Sequence, residues 1–134
     1  MAELFSPEWF EQYKQAWNAE SELADALANI DFHSVIGYGF DGEDQPRGVI
    51  HVEAGYVTHA GPYEGETLNW DLRASKENWD KWMKKPPGMM SLGTAYTSRK
   101  IKFYEGDYGA MIKDPRMANP FIKSFTVMSR VGSD

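Results

Sequence analysis

Three histidines, one glycine-rich run and one acid–base pair are the residues of this 134-residue chain whose types and spacing could do chemistry. Metal sites built from histidine usually draw on spacings such as H-x-H, H-x-x-x-H or H-E-x-x-H, and His33, His51 and His59 fit none of them. If a hairpin turns at Ala54-Gly55 with residue 53 opposite 56, His51 faces Thr58, while His59 pairs with Ile50 on the other face of the sheet. That register argues against a shared metal, and only a β-bulge would change it. As a general base His59 would need an acid and a substrate within reach; without them it is a satisfied residue on an apolar face. Asp71 and Arg73, two positions apart, read as an ion pair at a surface or sheet edge. The run Gly37-Tyr38-Gly39-Phe40-Asp41-Gly42 matches G-x-G-x-x-G, but the dinucleotide fingerprint requires a helix directly afterwards. Here Glu43-Asp44-Gln45-Pro46 follows, an acidic turn, so the glycines are expected to bend a sheet or admit a close neighbour. With no cysteine, no G-x-S-x-G and no P-loop, the sequence indicates no catalytic residues, no cofactor and no metal.

The elements that must position these residues follow from hydrophobic period. Ser6-Pro7-Glu8 opens a helix, and Trp9, Phe10, Tyr13, Ala16 and Trp17 form one amphipathic stripe. Leu23, Ala24, Leu27 and Ile30 form a second, shorter one. From Phe32 the period changes to two. Ile36, Tyr38 and Phe40 share a face, as do Ile50 and Val52, a third strand starts near Tyr56, and Leu68, Trp70 and Leu72 alternate with Asn69, Asp71 and Arg73. Four consecutive short strands predict an antiparallel meander. Ser75 caps a helix carrying Trp79, Trp82 and Met83 that ends at Pro86-Pro87-Gly88. Helix is expected over 89–97, a fifth strand over 100–105, a helical turn over 108–113, and a last helix opened by Asn119-Pro120. The order of elements is that of an α+β fold, and residues 1–134 read as a single domain.

Charge divides along the chain: residues 1–80 carry 16 acidic and four basic side chains, and residues 81–134 carry four acidic and ten basic. The halves have net charges of −12 and +6, and the whole −6, so nucleic acid is a poor partner. The clusters Lys84-Lys85 and Arg99-Lys100 with Lys102 suit a solvated surface, or the anionic head of a ligand or membrane. No apolar run approaches the roughly 20 residues that span a bilayer, and the first residues lack a basic segment before an apolar one. The expectation is a soluble, cytoplasmic protein with at most transient membrane contact.

The apolar inventory is more telling. Trp70, Leu72, Trp79, Trp82, Met83, Met89, Met90, Phe103, Met111, Phe121, Phe125 and Met128 are more large apolar groups than a five-stranded sheet with short helices must bury. Six of the seven methionines follow position 82, and unbranched thioethers suit an adaptable pocket. If some of these side chains line a cavity, each ligand methylene buried there contributes about 0.8 kcal/mol.

The order of elements and several segments resemble the sterol carrier protein type-2 family. The resemblance covers nearly the whole chain: paired N-terminal helices ending in Ala26-Leu27-Ala28-Asn29, the run Leu68-Asn69-Trp70-Asp71-Leu72-Arg73-Ala74-Ser75 leading into the Trp79/Trp82 helix, and Lys100-Ile101-Lys102-Phe103-Tyr104-Glu105-Gly106-Asp107 leading into Tyr108-Gly109-Ala110-Met111. It implies a five-stranded antiparallel sheet covered on one side by helices, with a hydrophobic tunnel between the layers. It also implies a non-catalytic binder of fatty acids, acyl-CoA, sterols or similar lipophiles. The tunnel would be lined by the region from Trp79 to Met90, the Phe103 strand, and the helices around Met111 and from Phe121 to Met128. The end Val131-Gly132-Ser133-Asp134 departs from the peroxisomal address of some members.

The first functional expectation is therefore a carrier of a lipophilic small molecule, with Arg99, Lys100 or Lys102 meeting any anionic head. One alternative is an accessory subunit that presents a hydrophobic substrate to a partner enzyme and docks through its acidic half. Another is a small proton-transfer enzyme on a conical α+β scaffold, with His59 and Asp71 as its catalytic groups.

Overall fold

The computed structural model describes residues 2–132; Ser133 and Asp134, the last two residues of the C-terminal segment singled out above, lie outside them. The chain opens with helix α1 (Pro7–Asn18), started by Ser6, whose Oγ accepts the Trp9 N–H at 3.2 Å, with Pro7 in the first turn. A π-helical turn (Ser21–Asp25) runs into the single turn α2 (Ala26–Ala28), so the second apolar stripe is a short irregular helix. Strands β1 (Ser34–Phe40), β2 (Gly48–Glu53), β3 (Tyr56–Pro62) and β4 (Trp70–Ala74) come next. They are followed by α3 (Lys76–Lys84), α4 (Met89–Thr97), β5 (Ile101–Glu105), α5 (Tyr108–Ile112) and α6 (Pro115–Val131).

The sheet order is β3-β2-β1-β4-β5, and helices cover one face. β1, β2 and β3 form the expected antiparallel meander, and β5 runs antiparallel to β4. β4 departs from the expectation: it pairs parallel with β1, Tyr38 opposite Leu72. The sheet is therefore mixed rather than wholly antiparallel. The physical reason is the connection 63–69, which runs back along the open face of the sheet before β4 begins. It is tied at one end by Tyr63 N–H to the Arg47 carbonyl (3.5 Å) and at the other by Asn69 N–H to the Val35 carbonyl (2.9 Å). Seven extended residues reach about 23 Å, enough to retrace a strand.

Two further expectations are corrected by nonlocal packing. Asp71 and Arg73 are not at a surface: their side chains are 6% and 1% exposed, under the β1–β2 turn. That turn also settles the glycine run. It leads into β2 and not into a helix, and a Cβ on Gly39 would lie 2.9 Å from Pro46 Cα, so the glycines admit a backbone packed directly on the sheet. The last helix does not start at Asn119-Pro120. Asp114 caps it, accepting the Arg116 N–H at 3.0 Å, with Pro115 in the first turn and Pro120 inside the helix. One hydrophobic core joins α1, α3 and α6 to the inner face of the sheet, with Trp9, Phe10, Tyr13, Trp79, Phe125 and Met128 sealed within it.

Candidate functional site

Ile36 and Tyr38 on β1, and Trp70 and Leu72 on β4, point the same way because side chains two apart share a strand face, and the parallel register sets Ile36 beside Trp70 and Tyr38 beside Leu72. Above this floor stand Trp17 of α1, Leu23 of the π-helical turn and Leu27 of α2 on one side, with Phe32 at the approach to β1. Met111 of α5 and Met117, Pro120, Phe121 and Ser124 of α6 close the other side. Together they enclose an apolar cavity of about 40 Å³.

Among the described residues, no charged side chain lines this cavity. Its two hydroxyls are already engaged: Tyr38 shares a 3.0 Å hydrogen bond with Tyr13, and Ser124 Oγ donates to the Phe121 carbonyl at 2.5 Å. Burial raises both tyrosine hydroxyls well above their ordinary range, and at Tyr13 the neighbouring Tyr38 adds to the effect, so both stay neutral. A ligand here meets mainly carbon and sulfur, and no charge. The volume admits about three waters, whereas sites for drug-sized ligands start near 300 Å³. A lipid would therefore have to displace part of the wall. The α5–α6 side is built for such displacement, since Met111 and Met117 are flexible and α5 is only five residues long.

Of the residues singled out in the sequence, the fold brings Trp70, Leu72, Met111 and Phe121 to the cavity wall. Phe103 lies just behind, with ring centroids 5.9 Å from both Trp70 and Phe121. Trp79 and Phe125 stack at 6.3 Å in the core, and Trp82 meets both edge-on. Met83 and Met128 are buried beside them. Met89 and Met90 open α4 at the surface, 44% and 87% exposed. Lys102 is held by Asp41 at 2.8 Å, while Arg99 and Lys100 face solvent.

Trp17, Leu23, Leu27, Phe32, Ile36, Tyr38, Met117, Pro120 and Ser124 line the cavity but were not named as site residues from sequence. Several were visible on apolar stripes, but a stripe says only that a residue faces inward. The three buried tryptophans divide by their N–H groups: Trp9, Trp17 and Trp79 donate to the carbonyls of Gly132, Gly55 and Gly39 at 2.6, 2.9 and 2.8 Å. Each pins a helix to a distant segment, and only Trp17 also reaches the cavity.

The proton-transfer pair is not assembled. His59 is on β3 and Asp71 on β4, with two strands between them, about 14 Å at the usual strand spacing. Asp71 is also engaged by Arg73, which donates from Nε at 2.6 Å and from Nη2 at 3.0 Å. The β2–β3 register differs from the expectation as well. A bulge at Thr58 sets His51 directly opposite His59, on the face away from the helices.

No family model and no curated protein matches the sequence. The fold does match solved structures. A crystal structure of sterol carrier protein 2 aligns with a TM-score of 0.74 at 16% identity, over 95% of this chain and 98% of that one. The solution structure of a Thermus thermophilus protein, described as a candidate sterol carrier protein, aligns at 0.67 and 17% identity over 100% and 93%. The UbiJ-SCP2 ubiquinone synthesis protein aligns at 0.61 and 10% identity over 95% and 93%. The chain thus has the sterol carrier protein 2 fold, an α+β architecture of five strands with helices on one face. No described helix is long and apolar enough to cross a membrane.

Proposed function

We propose that this protein binds and transfers a lipophilic small molecule, a fatty acid, acyl-CoA, sterol or similar compound, without catalysing a reaction on it. Residues 1–134 act as one lipid-binding domain working in the cytoplasm, whose reducing conditions a cysteine-free chain suits. The observation that carries this reading is the charge-free cavity between the β1–β4 floor and the α5–α6 wall, in a fold shared with sterol carrier protein 2. Apolar burial alone drives binding there: each methylene taken from water contributes about 0.8 kcal/mol, less what displacing the methionine wall costs.

The test is titration of the full chain with a fluorescent fatty acid, followed by displacement with oleate and cholesterol, alongside native mass spectrometry of the gently purified protein. Saturable binding at one equivalent is expected. Met117→Trp, which fills the cavity from α6, should weaken it at least about tenfold, or about 1.4 kcal/mol, with the circular dichroism spectrum unchanged. Binding that is absent, or that is indifferent to Met117→Trp in a folded variant, overturns the reading. Trp79→Ala is a poor probe because that indole is sealed in the core and its loss should cost about 3–5 kcal/mol of stability whatever it does to binding.

A second reading, a subunit that presents a hydrophobic substrate to a partner enzyme, is favoured by the likeness to the UbiJ-SCP2 ubiquinone synthesis protein. It predicts the same cavity occupant plus a salt-sensitive complex that copurifies with the full chain.

A further inference from the structure

On the sheet face opposite the cavity, His51 of β2, His59 of β3 and Glu66 of the 63–69 connection converge. One ligating atom from each lies within 4.8 Å of the other two. His51 Nε2 is 2.9 Å from Glu66 Oε2, and the two imidazoles meet edge to face with centroids 5.0 Å apart. The bulge makes the group. Because Thr58 is the extra residue, side-chain alternation on β3 resets and His59 falls on the same face as His51. Thr58 Oγ1 donates to Glu53 Oε2 at 2.7 Å, which holds the bulge from its own side chain.

Glu66 is positioned independently of the histidines. The Glu64 N–H donates to its Oε1 at 2.7 Å, and the Tyr63 hydroxyl donates to its backbone carbonyl at 3.1 Å. Its other oxygen is thereby left facing His51.

We propose that His51, His59 and Glu66 form a binding site for a divalent transition-metal ion of the zinc type, with water in the fourth position. Two imidazoles and one carboxylate are a common three-ligand set for zinc, whereas magnesium and calcium seek oxygen ligands alone. Zinc bonds of about 2.0–2.2 Å put tetrahedral ligands roughly 3.3–3.6 Å apart. That lies between the 2.9 Å and 4.8 Å limits seen here, so side-chain rotation suffices for closure. The ion replaces the proton between His51 Nε2 and Glu66 Oε2 and draws in the exposed His59. The Glu64 N–H on the far carboxylate oxygen is the kind of outer contact that orients a ligating carboxylate. Occupancy fastens the 63–69 connection to the β2–β3 hairpin. The site lies across the sheet from the lipid cavity and does not depend on that function.

The experiment is titration of the chelator-treated full chain with Zn²⁺ by calorimetry and with Co²⁺ by visible absorption. Saturation at one equivalent is expected, with the intense absorption of a four-coordinate cobalt site and slowed amide exchange over residues 63–69. His59→Ala removes an exposed side chain and should fold, and Glu66→Gln keeps both anchoring contacts. Each should weaken binding at least about tenfold, while His33→Ala, which removes a histidine paired only with Asp31, leaves it unchanged. No saturable binding, or binding that His59→Ala or Glu66→Gln leaves at the wild-type level, overturns the three-ligand site.

Discussion

At the scale of single residues, Arg73 is the most informative side chain. It is 1% exposed and all three guanidinium nitrogens donate: it donates twice to Asp71, donates from Nη1 to the Phe40 and Glu43 carbonyls at 3.3 and 2.8 Å, and lies 4.3 Å from the Tyr104 ring centroid. A buried ion pair adds little net stability over an apolar pair of the same shape, but breaking one strands a charge and costs about 3–5 kcal/mol. Asp71→Asn should therefore lower the unfolding free energy by that amount in urea titration, and Asp71→Leu combined with Arg73→Met should recover much of it. A loss below about 1 kcal/mol would mean that the guanidinium reaches water. From sequence the pair was legible as a pair, because two residues apart on a strand share a face. Its burial was not legible, since the turn that covers it comes from about 30 residues upstream.

At the scale of elements, the β1–β2 turn and α6 show how local rules yield to neighbours. Gly39 has the turn backbone directly above it, with Pro46 Cα at 2.9 Å and Arg47 N at 3.0 Å from where a Cβ would stand. Backbone cannot rotate away as a side chain can, so Gly39→Ala should destabilise by about 1–3 kcal/mol. Gly61→Ala on β3, where a Cβ meets nothing within 4 Å, serves as the control and should be close to neutral. Thermal melts of the two variants check the contrast; equal shifts would show that strand propensity, not the covering turn, decides. In α6 the proline signal occurs twice, and the earlier Asp114-Pro115 starts the helix. Pro120 removes an N–H that would bond the Arg116 carbonyl, a cost of about 3 kcal/mol for an isolated helix. The helix continues because Ser124, Phe125, Val127 and Met128 bury its inner face. The helix over 76–84 was legible from its Ser75 cap and apolar spacing and the strand read over 100–105 from its alternation, while the helix over 89–97 forms as expected without any side-chain cap at Gly88.

At the scale of the whole molecule, the opposite charges of the two chain halves meet. Glu20 pairs with Arg130 at 2.6 Å, Glu22 with Lys123 at 2.9 Å and Asp41 with Lys102 at 2.8 Å. The hydrogen bond from Arg130 lowers the Glu20 carboxyl below its ordinary range. Hydrogen bonds from Lys102, then Tyr104, do the same for Asp41. A carboxyl depressed in the folded state binds protons more weakly there than in the unfolded chain. Its contribution is complete above the unfolded value, near 4, and is lost as pH falls through the lower folded value. The stability these pairs contribute should thus be steady from neutrality to about pH 5 and decline below about pH 4, modestly because the pairs lie at the surface. Asp41→Asn should be less stable at pH 7 and lose less on acidification, read from melting temperatures between about pH 3 and 7. Parallel curves for the two proteins would remove Asp41 from the account. Part of the acidic half that could have served as a docking surface is in this way engaged within the chain.

The existence and order of most helices and strands were readable because apolar period, caps and turns act over a few residues, although α6 begins at Pro115 and not at Asn119-Pro120; the resemblance carried in Leu68 to Ser75 and Lys100 to Met111 rests on such runs. Tertiary structure decided the rest. β4 lies parallel to β1 because the 63–69 connection retraces the sheet, and His59 joins His51 because one residue bulges at Thr58. Trp70, Leu72, Met111 and Phe121 reach the cavity, while Trp79 and Phe125 stack on each other in the core, because β4, α5 and α6 meet there and α3 packs away from it. Register, rotation and covering loops are settled by contacts between residues far apart in the chain, to which no local pattern responds.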